Sequence, residues 1–254
     1  MIVKDDSQIK TLKEGGAILA RILNLLSEKA KPGISAFELD QIAADEAKKA
    51  GASCSFLNYK SNPSDTPYPG SLCVSINDEV VHGLPTKDKI LTEGDIVGLD
   101  LGIKYKGLFT DGAVTVAIGN VEPKKLKLLE SAREALYAAL DVVKPGVTVG
   151  DIGHAIQTVA ESKGFSPVRE LVGHGVGAKV HEDPEIPCYG QPNRGPMLPL
   201  GMVIAIEPMI NAKGWKVRIG ADGWTIKTAD GSPSSHFEHT AVVTADGCEI
   251  LTVE

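Results

Sequence analysis

The sequence predicts an α+β fold of two similar halves, each with helices followed by antiparallel strands, joined about a pseudo-two-fold axis. Three observations carry this reading. Lys31-Pro32-Gly33-Ile34-Ser35 through Glu38-Leu39 to Gly51 returns as Lys144-Pro145-Gly146-Val147-Thr148 through Asp151-Ile152 to Gly164, at a constant offset of 113 residues. Gly94-Asp95-Ile96-Val97-Gly98-Leu99-Asp100 resembles Gly201-Met202-Val203-Ile204-Ala205-Ile206-Glu207, each a glycine, an apolar strand and a carboxylate. Phe109-Thr110-Asp111 resembles His236-Phe237-Glu238, and His82-Gly83 after Val80-Val81 parallels His174-Gly175 after Leu171-Val172-Gly173. At about 150 residues per domain, a chain of 254 residues holds one large domain or two small ones. The duplication favours a single catalytic domain over 1–254, with halves of approximately 8–119 and 120–254.

Taken in order, Ser7 is placed to cap a first helix whose Ile18, Ile22, Leu25 and Leu26 recur at helical spacing until Pro32-Gly33 stops it. Ser35 and Glu38 form a capping box for a second helix that ends before Gly51, with Leu39, Ile42, Ala43 and Ala50 on its core face. Glu46 falls on that face and needs solvent or a counter-charge. A third helix runs from Pro123 through Leu126, Leu129, Leu136 and Leu140 to Pro145-Gly146. A fourth repeats the second. The remaining apolar runs read as strands.

Composition bounds the function. With 26 basic and 33 acidic residues the net charge is −7, and aromatics make up 5%. A wholly basic nucleic-acid face and an aromatic stacking platform are both disfavoured. No apolar run approaches the roughly 18 to 20 residues of a membrane span, and the opening MIVKDDSQIK lacks a signal-peptide core. The four cysteines, Cys54, Cys73, Cys188 and Cys248, show no CxxC spacing. We read them as reduced thiols of a cytoplasmic protein.

The chemistry lies in carboxylates where a core should be. If Lys104-Tyr105-Lys106-Gly107 makes a hairpin turn centred between Tyr105 and Lys106, Asp100 faces Asp111. Like charges that close are destabilising unless a cation intervenes. The duplication adds Glu207 and Glu238, and His174 sits in Gly173-His174-Gly175-Val176-Gly177, whose glycines allow close approach to a ligand. Four carboxylates and one imidazole suit two bridged Mn, Fe or Co ions better than a closed structural zinc site. No G-x-S-x-G, H-E-x-x-H or Walker A motif is present. In His236-Phe237-Glu238-His239, strand alternation sends the two histidines to opposite faces, which argues against a joint metal role.

These motifs together resemble the type I methionine aminopeptidases of the bacterial type, whose fold is the pita-bread (creatinase/aminopeptidase) fold. The resemblance is carried by SINDEVVHGLP (75–85), DIVGLDLG (95–102), TDGA (110–113), VGHGVG (172–177) with HEDPEIP (181–187), AIEPM (205–209) and EHT (238–240). It implies a dinuclear site of divalent ions (Co, Mn or Fe, with Zn possible) in which Asp100, Asp111 and Glu238 bind both metals while His174 and Glu207 complete one shell. Two such ions would lower the pKa of a bridging water, with Glu207 shuttling its proton. His181 becomes a donor to the developing oxyanion and His82 a substrate-facing partner. Tyr59, Tyr68, Cys73 and Trp224 match the lining of the methionine pocket.

Two departures bear on that pocket. Eight residues, 60–67, separate Tyr59 from Tyr68 where the bacterial pattern usually has two, and Val180 stands where a bulkier residue such as Phe is common, which would widen the site. The implied substrates are nascent chains with Met followed by a small residue. No Cys-rich N-terminal extension precedes the catalytic unit, so a bacterial-type cytosolic enzyme is expected, with no membrane or sequence-specific nucleic-acid partner and a monomeric state. Lys124, Lys125 and Lys127 could touch ribosomal RNA in a transient ribosome association, although a solvated helix face is favoured. Aminopeptidase P and prolidase share the fold and the metal set but usually carry a large N-terminal domain. A non-catalytic binding module of the same fold typically loses metal ligands, and all five are present here.

Overall fold

The computed structural model describes residues 1–60 and 62–254. Helices α1 (Asp6–Lys29) and α2 (Ala36–Lys49) precede strands β1 (Ser53–Cys54), β2 (Cys73–Ile76), β3 (Glu79–Val81), β4 (Ile96–Tyr105) and β5 (Leu108–Ala117). Helices α3 (Pro123–Val142) and α4 (Val149–Ser162) follow, then β6 (Ser166–Pro167), β7 (Val172–Gly175), β8 (Glu182–Pro187), β9 (Val203–Ile206) and β10 (Met209–Asn211). The chain ends with β11 (Val217–Ile219), β12 (Ile226–Thr228), β13 (Ser234–His236), β14 (Glu238–Val243) and β15 (Cys248–Ile250). Of the 60–67 stretch, Ser61 lies outside the described residues. No helix among the described residues is long and apolar enough to cross a membrane.

The cap of α1 is Asp5 rather than Ser7. Its carboxylate accepts from the backbone N–H groups of Ser7 and Gln8, and a charged acceptor suits the positive end of the helix dipole better than a hydroxyl. The capping boxes of α2 (Ser35 with Glu38) and α4 (Thr148 with Asp151) form as expected. Glu46 is half-buried and pairs with Lys49 at 2.6 Å. On α3 the buried stripe is Leu128, Ala132, Ala135, Leu136, Ala139 and Leu140. Leu126, two residues or about 200° away from Leu128 on the helix, is 45% exposed. Lys125 is half-buried, its ammonium donating to Asn77 Oδ1 (2.9 Å) and the Gly94 carbonyl (2.8 Å).

The two helix pairs meet the strands in the same way. Gly33 N donates to Leu91 O and Gly146 N to Leu198 O, while Ser35 bridges Ile90 as Thr148 bridges Met197. Nine strands then form one sheet in the order β1-β4-β5-β14-β9-β7-β8, with β2 also on β4 and β15 on β14. The expected pair of sheets is thus one sheet, joined where β5 meets β14 (Ala113↔Glu238, Gly112↔His239). Two small sheets accompany it, β13-β10-β6 and β11-β12-β3. Alternation along β4 sends Val97, Leu99, Leu101 and Ile103 into the core under α1 and α2. It leaves Asp100 on the opposite face with Gly98 and Gly102. A Cβ at Gly102 would collide with Ser55 Oγ and the Phe56 ring, so the missing side chain lets that segment close over the Asp100 face.

The hairpin register differs from expectation by two residues. Tyr105 pairs with Leu108, and Lys106 and Gly107 form the turn with φ of 46° and 88°. Two positive φ values give the tight turn that matches strand twist. Asp100 therefore opposes Ala113, and Asp111 opposes Gly102. Because the side-chain period is two, the aspartates remain on one face as diagonal neighbours. The parallel drawn between His82 and His174 fails, since β7 pairs with β9 as β2 pairs with β4. His82 instead follows β3 at φ 58°.

Candidate metal centre

The face carrying Asp100 floors a cavity of about 880 Å³. Every residue assigned to the site from sequence borders it: Asp100, Asp111, His174, Glu207 and Glu238, then His82 and His181, then Tyr59, Tyr68, Cys73 and Trp224. β4, β5, β7 and β14 contribute Asp100, Asp111, His174 and Glu238, and Glu207 follows β9 directly. Ligand atoms of Asp100, Asp111 and Glu238 lie within 4.8 Å of one another, as do those of His174, Glu207 and Glu238 and of Asp111, His174 and His181.

Three observations show that these groups fit divalent cations. Asp100 Oδ1 and Glu238 Oε1 are buried without a hydrogen-bond partner, a costly state for acceptors unless an ion or water completes them. His174 Nδ1 lies 2.9 Å from the Gly175 carbonyl. A carbonyl only accepts, so Nδ1 carries the proton and Nε2 presents its lone pair, 3.6 Å from Glu207 Oε1 and 3.9 Å from Asp111 Oδ2. The donor set is mostly carboxylate oxygen, which suits hard or borderline divalent ions.

Without a cation the acids repel. Burial, opposed by His236 and helped by Glu207, pushes Asp100 up to about 7. Burial also drives Asp111 and Glu238 well above the ordinary carboxylate range, helped by the neighbouring acids. Glu207 differs. Burial pushes it up, but contact with His236 and the proximity of His174 and His181 outweigh that and hold it below its ordinary value. Burial lowers His82, and lowers His181 to about 4.

His236, weighed from sequence only as a joint metal ligand with His239 and set aside, adjoins the site. It is 3% exposed, with Nε2 3.4 Å from Glu207 Oε2 and 4.0 Å from Glu238 Oε2. The likeness of Phe109-Thr110-Asp111 to His236-Phe237-Glu238 had set Glu238 in the place of Asp111. Strand pairing says otherwise: Leu99 faces Val114 as Ile206 faces His239, which sets His236 in that place. Two threonines repeat the relation. Thr240 Oγ1 accepts from Asp111 N (2.9 Å) and donates to Asp111 O (2.7 Å), and Thr115 Oγ1 does the same for His236 N (2.9 Å) and O (2.7 Å). Thr240→Val keeps the shape but strips both bonds from the buried Asp111 backbone. A loss of about 1–3 kcal/mol is expected, read as a lowered midpoint in urea denaturation. His239 points away, its Nδ1 2.8 Å from Thr252 Oγ1, as alternation required.

Phe56 was missed. It packs in one apolar cluster with Tyr68, Cys73 and Val180, flanked by Tyr59 and Trp224. The volume that Val180 was expected to open therefore adjoins a ring delivered by the loop after β1. Tyr68 donates its hydroxyl to the Gly83 carbonyl at 2.9 Å, tying this wall to the turn that carries His82. All four cysteines are free thiols.

A buried cluster of acids and imidazole on neighbouring strands of one sheet, with unpartnered carboxylate oxygens, is suited to divalent metal and sets the chain among metal-dependent proteins. The model of metallopeptidase family M24 matches residues 10–245, and the chain belongs to that family. Relatives matched over nearly their whole length include bacterial methionine aminopeptidases, as the motifs had indicated. Methionine aminopeptidase 1 of Bacillus subtilis is 47% identical over 252 residues, 99% of each chain. The methionine aminopeptidase of Aquifex aeolicus is 46% identical over 247 residues, 96% of each. The crystal structure of methionine aminopeptidase from Thermotoga maritima matches with a TM-score of 0.95 at 43% identity, covering 100% of both chains. An Xaa-Pro dipeptidase from Bacillus anthracis, 24% identical with a TM-score of 0.79 over 62% of its length, shares the fold.

Proposed function

We propose that this chain is a metal-dependent methionine aminopeptidase that removes Met from nascent polypeptides whose second residue is small, and that residues 1–254 act as one catalytic unit. The observation that carries the reading is the convergence of Asp100, Asp111, His174, Glu207 and Glu238 on one end of a cavity. Its other wall is the apolar cluster of Phe56, Tyr68 and Cys73 with Trp224. In this reading the five residues hold two divalent ions, Co, Mn or Fe, with Zn possible. Bound there, the ions supply Lewis-acid polarisation of the scissile carbonyl and activation of a water.

The chain's own residues do the rest. Glu207, ionised through its histidine neighbours, takes the proton of the attacking water and returns it to the departing amine. His181 offers an N–H to the developing oxyanion, and His82 hydrogen-bonds the substrate backbone. Tyr59, Tyr68, Cys73, Phe56 and Trp224 enclose an unbranched thioether side chain. In this reading the protein acts in the cytoplasm as a monomer, with a transient encounter with the ribosome.

Methionine release across Met-Xaa peptides, with each metal in turn under reducing conditions, tests the reading. Met-Ala peptides are expected to be cleaved, and Met-Leu and Ala-Pro peptides to resist. Cleavage of Xaa-Pro peptides with Met-Ala untouched would instead make the protein a prolidase or aminopeptidase P. No release from any peptide, with retained binding of protein partners, would make it a binding module.

A further inference from the structure

Tyr59 does more than line the methionine pocket. Its hydroxyl oxygen lies 2.7 Å from His181 Nδ1, and the two rings meet edge to face at 4.9 Å and 73°. On its other side the His181 ring stands edgewise against His174, centroids 4.5 Å apart. The imidazole is therefore held between a metal-ligand candidate and a phenol. Of the two ways to share the proton at that 2.7 Å contact, the phenol donating to Nδ1 is favoured, because a phenolic O–H (pKa about 10) is a far stronger acid than a neutral imidazole N–H. A ring whose Nδ1 accepts must carry its proton on Nε2.

We propose that Tyr59 is a positioning residue that fixes His181 as the Nε2–H tautomer, so that the only N–H of the ring is the one offered to the substrate. The proposal rests on the methionine aminopeptidase reading above and adds a role to a residue assigned there only to the pocket wall. It also gives the long 60–67 connection a fixed base. Tyr59 N donates to Phe56 O at 2.8 Å, and Tyr68 N donates to Tyr59 O at 2.9 Å. The chain thus closes on itself between the tyrosines, and length can be added beyond that closure without moving the phenol. From the same closure, Tyr68 reaches the Gly83 carbonyl beside His82, so both tyrosines at the base of the connection brace catalytic histidines.

Tyr59→Phe removes one oxygen and keeps the ring, hence the pocket wall and the edge-to-face contact. For a Met-Ala peptide, kcat is expected to fall about tenfold with KM changed less than twofold. A purely pocket-lining Tyr59 would give the reverse split, with KM raised and kcat kept, and that result or no change in either overturns the proposal. Nitrogen-15 NMR of histidine-labelled, zinc-loaded protein reads the tautomer directly. His181 is expected to show a bare Nδ1 and a protonated Nε2, shifting to a mixture in Tyr59→Phe, whereas a protonated Nδ1 in the unaltered protein overturns the assignment. Should the unaltered protein release no methionine with any metal, the functional reading fails, and the NMR measurement still decides the Tyr59–His181 bond.

Discussion

Glu207→Gln is expected to leave the protein folded and to lower kcat for methionine release by about 10²–10⁴-fold, the range for loss of a general acid–base. The side chain is 13% exposed, with Oε1 3.6 Å from His174 Nε2 and Oε2 3.4 Å from His236 Nε2. Glutamine has the same shape, so the core beneath β9 is undisturbed, and because an amide is a weaker metal ligand than a carboxylate the comparison is made at saturating metal. What changes is chemistry. The histidines hold the Glu207 carboxyl below its ordinary pKa, so it is ionised at neutral pH and able to accept a proton, whereas an amide cannot. The amide also presents N–H groups where the carboxylate had only acceptors. Metal content by atomic absorption and circular dichroism separate lost chemistry from lost ions or lost fold. A kcat within tenfold of the parent, with metal retained, would reduce Glu207 to a structural ligand.

What the sequence revealed and what it hid follow from the period of each pattern. The helix pair was legible because caps and stops are local: Ser35 with Glu38 and Thr148 with Asp151 act within four residues of chain. The face shared by Asp100 and Asp111 was legible because an error of two residues in register leaves every side chain on the same side of a strand. The turn itself was misplaced by one residue, since Lys106 in the left-handed region is unusual for a lysine and nothing nearby announced it. The place of His236 was hidden because sequence likeness aligned it by the neighbouring acid, whereas pairing across the sheet shifts that alignment by two. A threonine two residues after Glu238 and four after Asp111, Thr240 and Thr115 respectively, was the available signal. Phe56 reaches the pocket from a loop whose path depends on Gly102 being bare, a tertiary condition that no local window contains.

The metal-free protein is expected to lose stability as pH rises from 6.5 to 8.5, and divalent cations are expected to abolish that loss. In the folded chain Asp100 titrates at about 7, and burial with mutual repulsion sets Asp111 and Glu238 well above their unfolded values of 3.8 and 4.5. The folded state therefore binds more protons than the unfolded one, so this contribution is fully present below pH about 4 and is lost as pH rises through the folded values. His236, raised by Glu207 against its burial, acts in the same direction. His82, His181 and His239 act oppositely, because burial lowers them, the last two to about 4. Their contribution grows with pH until the unfolded imidazoles, with a pKa of 6.5, have lost their protons about a unit higher, so it opposes the acids at the lower end of the window and leaves the upper part to them.

Thermal midpoints in that window should fall by 2–4 °C for each kcal/mol lost, about the scale for a chain of this size. Cation binding needs the same carboxylates ionised. It should release protons, grow tighter with pH, and turn the falling profile flat or rising. Differential scanning calorimetry with chelator and with Mn, at pH 6.5, 7.5 and 8.5, reads both profiles, and Asp111→Asn should make the metal-free one shallower. A metal-free midpoint that is flat or rises across the window would mean that the acids are already ionised and stabilised by something other than a cation, which would remove the physical case for a metal centre.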